Sequence, residues 1–472
     1  MIGKNVKVKV MRVKASCAVL ILMFCAQGCR SPRAKLESLH RNEPCFQPVI
    51  ETPSSTLLES SPTVSSIEDY VQLGLLQNPA VAEAQFKMDA ARQRFPQVLS
   101  LPDPMVSTNT YLAPVQTAAG EQAFSLGFNQ KFTNSERRAT QASIVCEEVA
   151  AAEANLERVR LELAEDIRSA CYQLMFVRKS IEIVEADQKS LEQIEEVVLR
   201  QYEVKKDVTQ QDVLSIQVEQ SAIENQLTEL RQREKSHQAR LARLSHVAPN
   251  SDLQITDAFC ESQETFNVES MIEAATQNRP ELHSQLAMIN RDRKKVHLAG
   301  LENKPDFTVG LNWITTSTQG ISPVRNGDDA LLLGVGFNLP IYKNRIQAGV
   351  CEALANRRAS ESRLAVLQDE VAEEVYDLIA KIEGASVSLK LLQQDMIPKA
   401  ERSLELSIEE YSAGNVQYVQ LIENWRGLLK FRIAEANLQS QYSQLLTSLS
   451  RSVGQMYPLG NVSDDSDSET PF

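Results

Sequence analysis

Leu126-Gly127-Phe128-Asn129 recurs as Val335-Gly336-Phe337-Asn338, 209 residues downstream, and around these two tetrapeptides the chain is written twice. Tyr202, at the end of the long polar-apolar stretch after the first tetrapeptide, returns as Tyr411 at the same offset. The segment between the landmarks therefore carries no net insertion. Upstream, Leu76-Gln77-Asn78-Pro79 pairs with Gln277-Asn278-Arg279-Pro280 and Leu101-Pro102-Asp103 with Lys304-Pro305-Asp306, at offsets of 201 and 203. Most of the length difference then falls in one loop, roughly 113–122 in the first copy and 315–330 in the second. Each copy reads helix, strand, variable loop, strand, very long helix, break, helix. The expected division is 67–245 for the first copy, 246–266 for a linker and 267–453 for the second.

The strands alternate. Phe307, Val309, Leu311 and Trp313 fall on one face, with Thr308, Gly310 and Asn312 on the other. Leu331, Leu333, Val335, Phe337, Leu339 and Ile341 oppose mostly Gly334, Gly336 and Asn338, and Phe124, Leu126, Phe128 and Phe132 oppose Ser125, Gly127, Asn129 and Lys131. A weaker strand covers about 105–112. Apolar-outward, small-inward strands of this length suit a transmembrane β-barrel. A soluble antiparallel sheet with one face on a core gives the same alternation. Four strands cannot close a barrel, and open edges cannot face lipid, so strands that span a membrane here must be pooled from several chains.

From Asn134 to Glu203 no proline or glycine occurs, and a continuous helix there would run about 105 Å. The second copy offers 343–412, where Pro398 is expected to kink the helix at a cost of about 3 kcal/mol. Ile167, Ala170, Leu174, Val177, Ile181 and Val184 step by three and four, continuing at Leu191 past a polar Gln188; Val371, Val375, Leu378, Ile382, Ala385, Leu389, Leu392 and Met396 do likewise. These are heptads that pack on neighbouring helices. Breaks near 203–209 and 412–417, the second at Gly414-Asn415, turn the chain into return helices, about 209–244 and 416–453.

The formal net charge of −13 and the absence of a basic stripe argue against nucleic acid. Lys4, Lys7, Lys9, Arg12 and Lys14 precede an apolar run, Ala15–Phe24, which reads as an export signal over 1–28 and is too short for a membrane span. Ala26-Gln27-Gly28-Cys29 resembles a bacterial lipoprotein signal, in which Cys29 would carry the acyl (palmitate) anchor; Ala-x-Gly also suits ordinary cleavage at the same bond. Residues 29–66 read as a lipid-anchored leader and 454–472 as an acidic disordered tail. Cys45, Cys146, Cys171, Cys260 and Cys351 stand singly and form no disulfide framework.

Several segments carry a family resemblance. Leu75-Leu-Gln-Asn-Pro-Ala-Val81 and Thr276-Gln-Asn-Arg-Pro-Glu-Leu282 look like helix openings, Gly336-Phe-Asn-Leu-Pro-Ile-Tyr342 like a strand-to-helix exit, and Tyr411-x-x-Gly414 with Val419-Gln-Leu-Ile422 like a periplasmic turn of the TolC-like outer membrane efflux proteins. The first copy departs at Lys205, where the glycine would sit. The resemblance implies a mainly α protomer with a small β part: a duplicated long-helix α-barrel contributing four antiparallel strands to a shared trimeric transmembrane β-barrel. It implies a homotrimer in the outer membrane, an inner-membrane pump and a periplasmic adaptor as partners, and an entrance ringed by the helix turns. Candidate entrance residues are Glu203, Lys205, Lys206, Asp207, Asp212, Gly414 and Asn415; the candidate lipid-facing strand is Phe307, Val309, Leu311 and Trp313.

Catalytic constellations are not found. No nucleotide-binding glycine loop, His-Glu-x-x-His or Gly-x-Ser-x-Gly occurs, and His40, His237, His246, His283 and His297 lack ligand spacing, so no catalytic residue, cofactor or metal is expected. The rival to a non-catalytic efflux or type I secretion channel is a structural coiled-coil envelope lipoprotein, which would have no use for the paired hairpins.

Overall fold

The computed structural model describes residues 65–456 except 205–208, 250, 252, 261–265 and 325. The signal, Cys29, nearly all of the leader, Lys205, Lys206, Asp207 and the tail beyond 456 lie outside the described residues. The same order of elements runs twice. First come α1 (Ile67–Gln77), α2 (Pro79–Leu99), β1 (Met105–Thr117), β2 (Gly120–Phe132), α3 (Ser135–Val204) and α4 (Gln210–Leu244). Then follow α5 (Val268–Asn278), α6 (Pro280–Leu301), β3 (Phe307–Thr316), β4 (Ala330–Phe337), α7 (Lys343–Leu391), a π-helical turn (Leu392–Met396), α8 (Ile397–Ala413) and α9 (Tyr418–Ser452).

Local chemistry explains the boundaries. Asn78 closes α1 and opens α2, accepting from the Ala80 N–H at 2.8 Å while its own amide donates to the Leu244 carbonyl at 2.8 Å. Arg279 holds the equivalent place before α6 without a side-chain cap and instead donates to Glu374 at 2.7 Å. Asn134 caps α3, whose 70 residues then run unbroken because nothing in them removes a backbone donor. At the far end Gly414, with φ +85°, ends α8 in a left-handed cap; its N–H donates to Tyr411 and the Asn415 N–H to Glu410 at 2.9 Å.

The helices bury three apolar clusters, one where α1, α2, α3 and α4 meet, one among α3, α4, α8 and α9 toward the turns, and one among α5, α7 and α9. Full burial contributes about 1.5–3 kcal/mol for each large apolar side chain. Leu163, Ile167, Cys171 and Leu174 of α3 are matched in burial by Val371, Val375, Ile379 and Ile382 of α7, each 208 residues on. The offset is thus 208 along the helices, although the tetrapeptides and the two tyrosines keep 209. One residue is missing where β4 passes into α7, and the π turn, whose bonds reach one residue further than an α-turn, restores it.

Four sequence expectations change. Pro398 does not kink a regular helix: it sits in the first turn of α8 just after the π turn, where its missing N–H costs little. The first variable loop is short, because β1 runs on to Thr117; Pro114 fits there since β1 is an edge strand and the register is irregular between Thr110 and Val115. β4 ends at Phe337 rather than Ile341, because its partner β3 begins at Phe307. The polar residue in the α3 core line is Asp187, buried between Val184 and Leu191, and not Gln188.

The linker lies along the first helices. Thr256 N–H donates to the Ser65 carbonyl at 2.9 Å, Ile67 N–H to Asp257 at 2.5 Å, and Tyr70 hydroxyl to the Gln254 carbonyl at 3.0 Å.

Candidate channel wall and entrance

β1, β2, β3 and β4 form one antiparallel sheet in that order, leaving β1 and β4 as free edges among the described residues. The register fixes what shares a face. Phe307 pairs with Phe132 and Phe337, Leu311 with Phe128 and Leu333, and Trp313 with Leu126 and Leu331. Val106, Thr108 and Thr110 join the same face through Phe128, Leu126 and Phe124. Directly opposed residues lie on one side of a sheet, so these side chains make a single apolar face. No helix covers it. Phe307, Val309, Leu311 and Trp313 are 49%, 36%, 38% and 40% exposed, and Leu331, Leu333, Val335 and Phe337 more so. A contiguous apolar surface of this kind is a binding or membrane surface rather than an ordinary protein exterior.

The opposite face is polar and tight. Asn109 donates to Ser125 at 3.3 Å, and a Cβ added at Gly127 would stand 2.6 Å from the Ser107 hydroxyl, so glycine there lets neighbouring Ser and Asn side chains lie over the strands. At the tip, the β3–β4 loop is bonded onto the β1–β2 turn: Ser322 N–H donates to Ala118 at 2.9 Å and Gly327 N–H to Ala119 at 2.8 Å. At the root, Asp306 ties the two halves of the chain. It accepts from the Asn134 N–H at 3.1 Å and from Arg137 at 3.1 Å, while Arg137 also donates to the carbonyls of Leu301 and Lys304 at 3.1 Å.

The turn end holds the sequence-predicted entrance residues that are described. Glu203 is exposed in the last turn of α3. Asp212 caps α4, accepting from the Thr209 N–H and hydroxyl at 2.9 Å. Gly414 and Asn415 make the helix stop, and Asn415 also donates to the Glu410 carboxylate at 2.6 Å. Gln201 donates to the Ser412 carbonyl at 2.6 Å, which brings the α3 and α8 ends together. Sequence reading used Tyr411 as a landmark but missed the burial of the side chains beneath these residues. Tyr411, Tyr418 and Trp425 are buried, and their hydroxyls and indole N–H have no hydrogen-bond partner among the described residues. Burial, with Asp212 nearby, pushes the Tyr411 hydroxyl up to about 12; burial, with Glu219 nearby, does the same for Tyr418. Arg426 bonds Glu219 across α9 and α4.

Midway along the helices, Glu374 of α7 accepts from Arg279 at 2.7 Å, Arg451 at 2.6 Å and Ser452 at 2.7 Å. Burial works to raise its pKa, but the Ser452 hydrogen bond and the charges of Arg279 and Arg451 hold the carboxyl below its ordinary range. The Arg451 Nε also lies 2.5 Å from Glu165 of α3, so one cation joins both long helices. Among the described residues no group of three or more His, Cys, Asp or Glu is placed to hold a metal ion, and no helix is long and apolar enough to cross a membrane. Cys146, Cys171, Cys260 and Cys351 are free thiols.

Residues 271–455 match the family model "outer membrane efflux protein". The likeness to the TolC-like outer membrane efflux proteins is shown. Solved channels share this fold over most of the chain. CusC matches with a TM-score of 0.71 at 14% identity, covering 88% of this chain and 98% of its own. The outer membrane protein VceC of Vibrio cholerae matches at 0.67 and 18%, covering 82% and 96%. The MtrE outer membrane channel of Neisseria gonorrhoeae, solved in its open state, matches at 0.67 and 12%, covering 84% and 94%. No curated protein matches in sequence. The fold is that of an outer membrane efflux channel protomer, mainly helical with a small antiparallel sheet.

Proposed function

We propose that the chain is the protomer of an outer-membrane efflux channel, non-catalytic, in which three copies pool their strands into one twelve-stranded barrel and their helices into a periplasmic conduit. The observation that carries this reading is the sheet: four strands, both edges unpaired and an apolar face left uncovered among the described residues. In lipid every backbone donor and acceptor must be paired, and joining β4 of one copy to β1 of the next satisfies both edges at once. Phe307, Val309, Leu311 and Trp313 would then meet lipid, and the Ser, Asn and Gly face would line water.

In this reading 1–28 is the export signal and Cys29 the lipid anchor. Residues 29–66 form the leader, and 454–472 the tail. Residues 67–245 and 267–453 are the two repeats and 246–266 their linker. The turn end, with Glu203, Lys205, Lys206, Asp207, Asp212, Gly414 and Asn415, faces the periplasmic adaptor and inner-membrane pump that would load the channel. A structural coiled-coil lipoprotein would leave the apolar face unexplained.

The test is conductance. Protein extracted in detergent and reconstituted in planar bilayers is expected to be oligomeric and to give discrete single-channel steps. A water-soluble monomer that makes no pores would refute the assignment.

A further inference from the structure

The chain contains one junction between its two repeats and, by duplication, the halves of a second. The first is complete. Asp306, just before β3, docks on the opening of α3, where it takes the Asn134 N–H and Arg137. Each member has a counterpart by position. Asp103 stands before β1 as Asp306 stands before β3, 203 residues apart, and both follow a proline. Arg345 stands two residues into α7 as Arg137 stands two residues into α3, at the helix offset of 208. Within one chain the counterparts are apart in role. Asp103 is exposed and neither donates nor accepts among the described residues. Arg345 is 65% exposed and holds Glu302 at 2.8 Å, with donors to spare. Tyr342, before α7, offers no side-chain cap, whereas α3 has Asn134.

The flanks of the two long helices carry the same message. Over 135–162, α3 buries Ala142, Ile144, Val145, Ala151, Leu156 and Leu161 beneath α2 and α6. Over the corresponding 343–370, α7 buries only Ile346. Its outer flank lacks the helix that would stand where α6 stands against α3.

We propose that Asp103 of one copy docks on the opening of α7 of the next, pairing with Arg345 and the free backbone N–H groups there, so that the joint between copies repeats the Asp306–Arg137 joint within each. The occupant of the bare α7 flank is then α2 of that neighbour, and β1 and β4 meet alongside it. The inference rests on the shared-barrel reading and deepens it by naming the contact that sets which edge meets which. Opposite charges at corresponding places, continuous with an interface already seen inside the chain, carry it.

The test uses the full-length lipoprotein in detergent and follows heat-induced dissociation of the oligomer on gels. Asp103→Ala and Arg345→Ala are each expected to lower the dissociation midpoint by a few degrees. The double variant should fall no further than the worse single, and the exchange Asp103→Arg with Arg345→Asp should recover most of the loss. Glu302→Ala, which removes only the pair inside one copy, should leave the midpoint in place. Additive losses in the double variant, or an exchange worse than either single, would overturn the inference while leaving an oligomeric channel standing. A wild-type protein that is monomeric would overturn both.

Discussion

Two helices of like length and origin, α3 and α7 with its continuation α8, have different surroundings. The first is wrapped: α2 and α6 flank its upper half, and α4 and α9 its lower half. The second shares α6 and α9 but shows its upper half to solvent on one side. Duplicated sequence gives both helices the same apolar line, from Leu163 to Leu174 and from Val371 to Ile382, so the difference is one of neighbours. In the proposed assembly another copy supplies the partner that the second repeat lacks, and the burial of α7 within one chain is then smaller than its burial in the channel.

The point at which the two helices are equally held is Arg451, which serves Glu165 on one and Glu374 on the other. Replacing it by methionine takes the shared cation from both carboxylates, leaving Glu374 with Arg279 and Ser452 and Glu165 with Ser448. The arginine is 21% exposed, so the loss should fall below that of a fully buried pair, at roughly 2–3 kcal/mol. Arg402→Met, which removes an exposed pair with Glu405, is the control and should cost under about 1 kcal/mol. Thermal unfolding in detergent reads both. Equal effects would mean that the girdle does not couple the helices.

A smaller effect separates the helices from each other. Asp187 on α3 and Asp395 in the π turn are 208 residues apart, at corresponding places. Asp187 is 1% exposed with Oδ2 unpartnered, and burial, opposed only by the charge of Arg432, lifts its pKa to about 6. Asp395 is turned outward and pairs with Lys399 at 2.5 Å. A folded-state pKa above the unfolded value means that the native state binds the extra proton. Stability is then highest when Asp187 is protonated and falls as pH rises from about 4 to about 6. Asp187→Asn should raise stability by about 3 kcal/mol at neutral pH and hardly at all near pH 4. Asp395→Asn should change it by less than about 0.5 kcal/mol at either pH. A pH-independent gain at Asp187 would show that the effect is packing and not charge.

Most of this architecture could be read before any coordinates. Period-two alternation placed Phe307, Val309, Leu311 and Trp313 on one face because a pleated strand leaves no other choice, and the lack of proline and glycine from Asn134 to Glu203 marked α3 from end to end. What could not be read depended on neighbours. Pro114 looked like a loop because nothing local says that β1 is an edge strand. Gln188 looked like the polar interruption, although the helix turns Asp187 inward. Gly414 and Asn415 were visible as a helix stop from residue type alone. Tyr411 was visible only as a repeat landmark, and its burial with Tyr418 and Trp425 was not, because no spacing rule reports that a hydroxyl lacks a partner. Asp103 gains its meaning only from Asp306.

The π turn gives the smallest and most discriminating expectation. A proline inside a regular helix costs about 3 kcal/mol, so replacing one by alanine should restore about that much. Pro398, however, occupies the first turn of α8, immediately after a segment whose wider hydrogen-bond ring has already displaced the carbonyl its own ring would strike. Its fixed φ also suits that first turn. Pro398→Ala should therefore shift stability by less than about 1 kcal/mol. If the gain approached the full cost of an interior proline, the π turn would be a consequence of Pro398, and the one-residue insertion would have to be sought elsewhere. If the shift is small, the turn belongs to the length difference between the repeats: the residue lost where β4 enters α7 is regained there, and the lower halves of both helices return to the same phase.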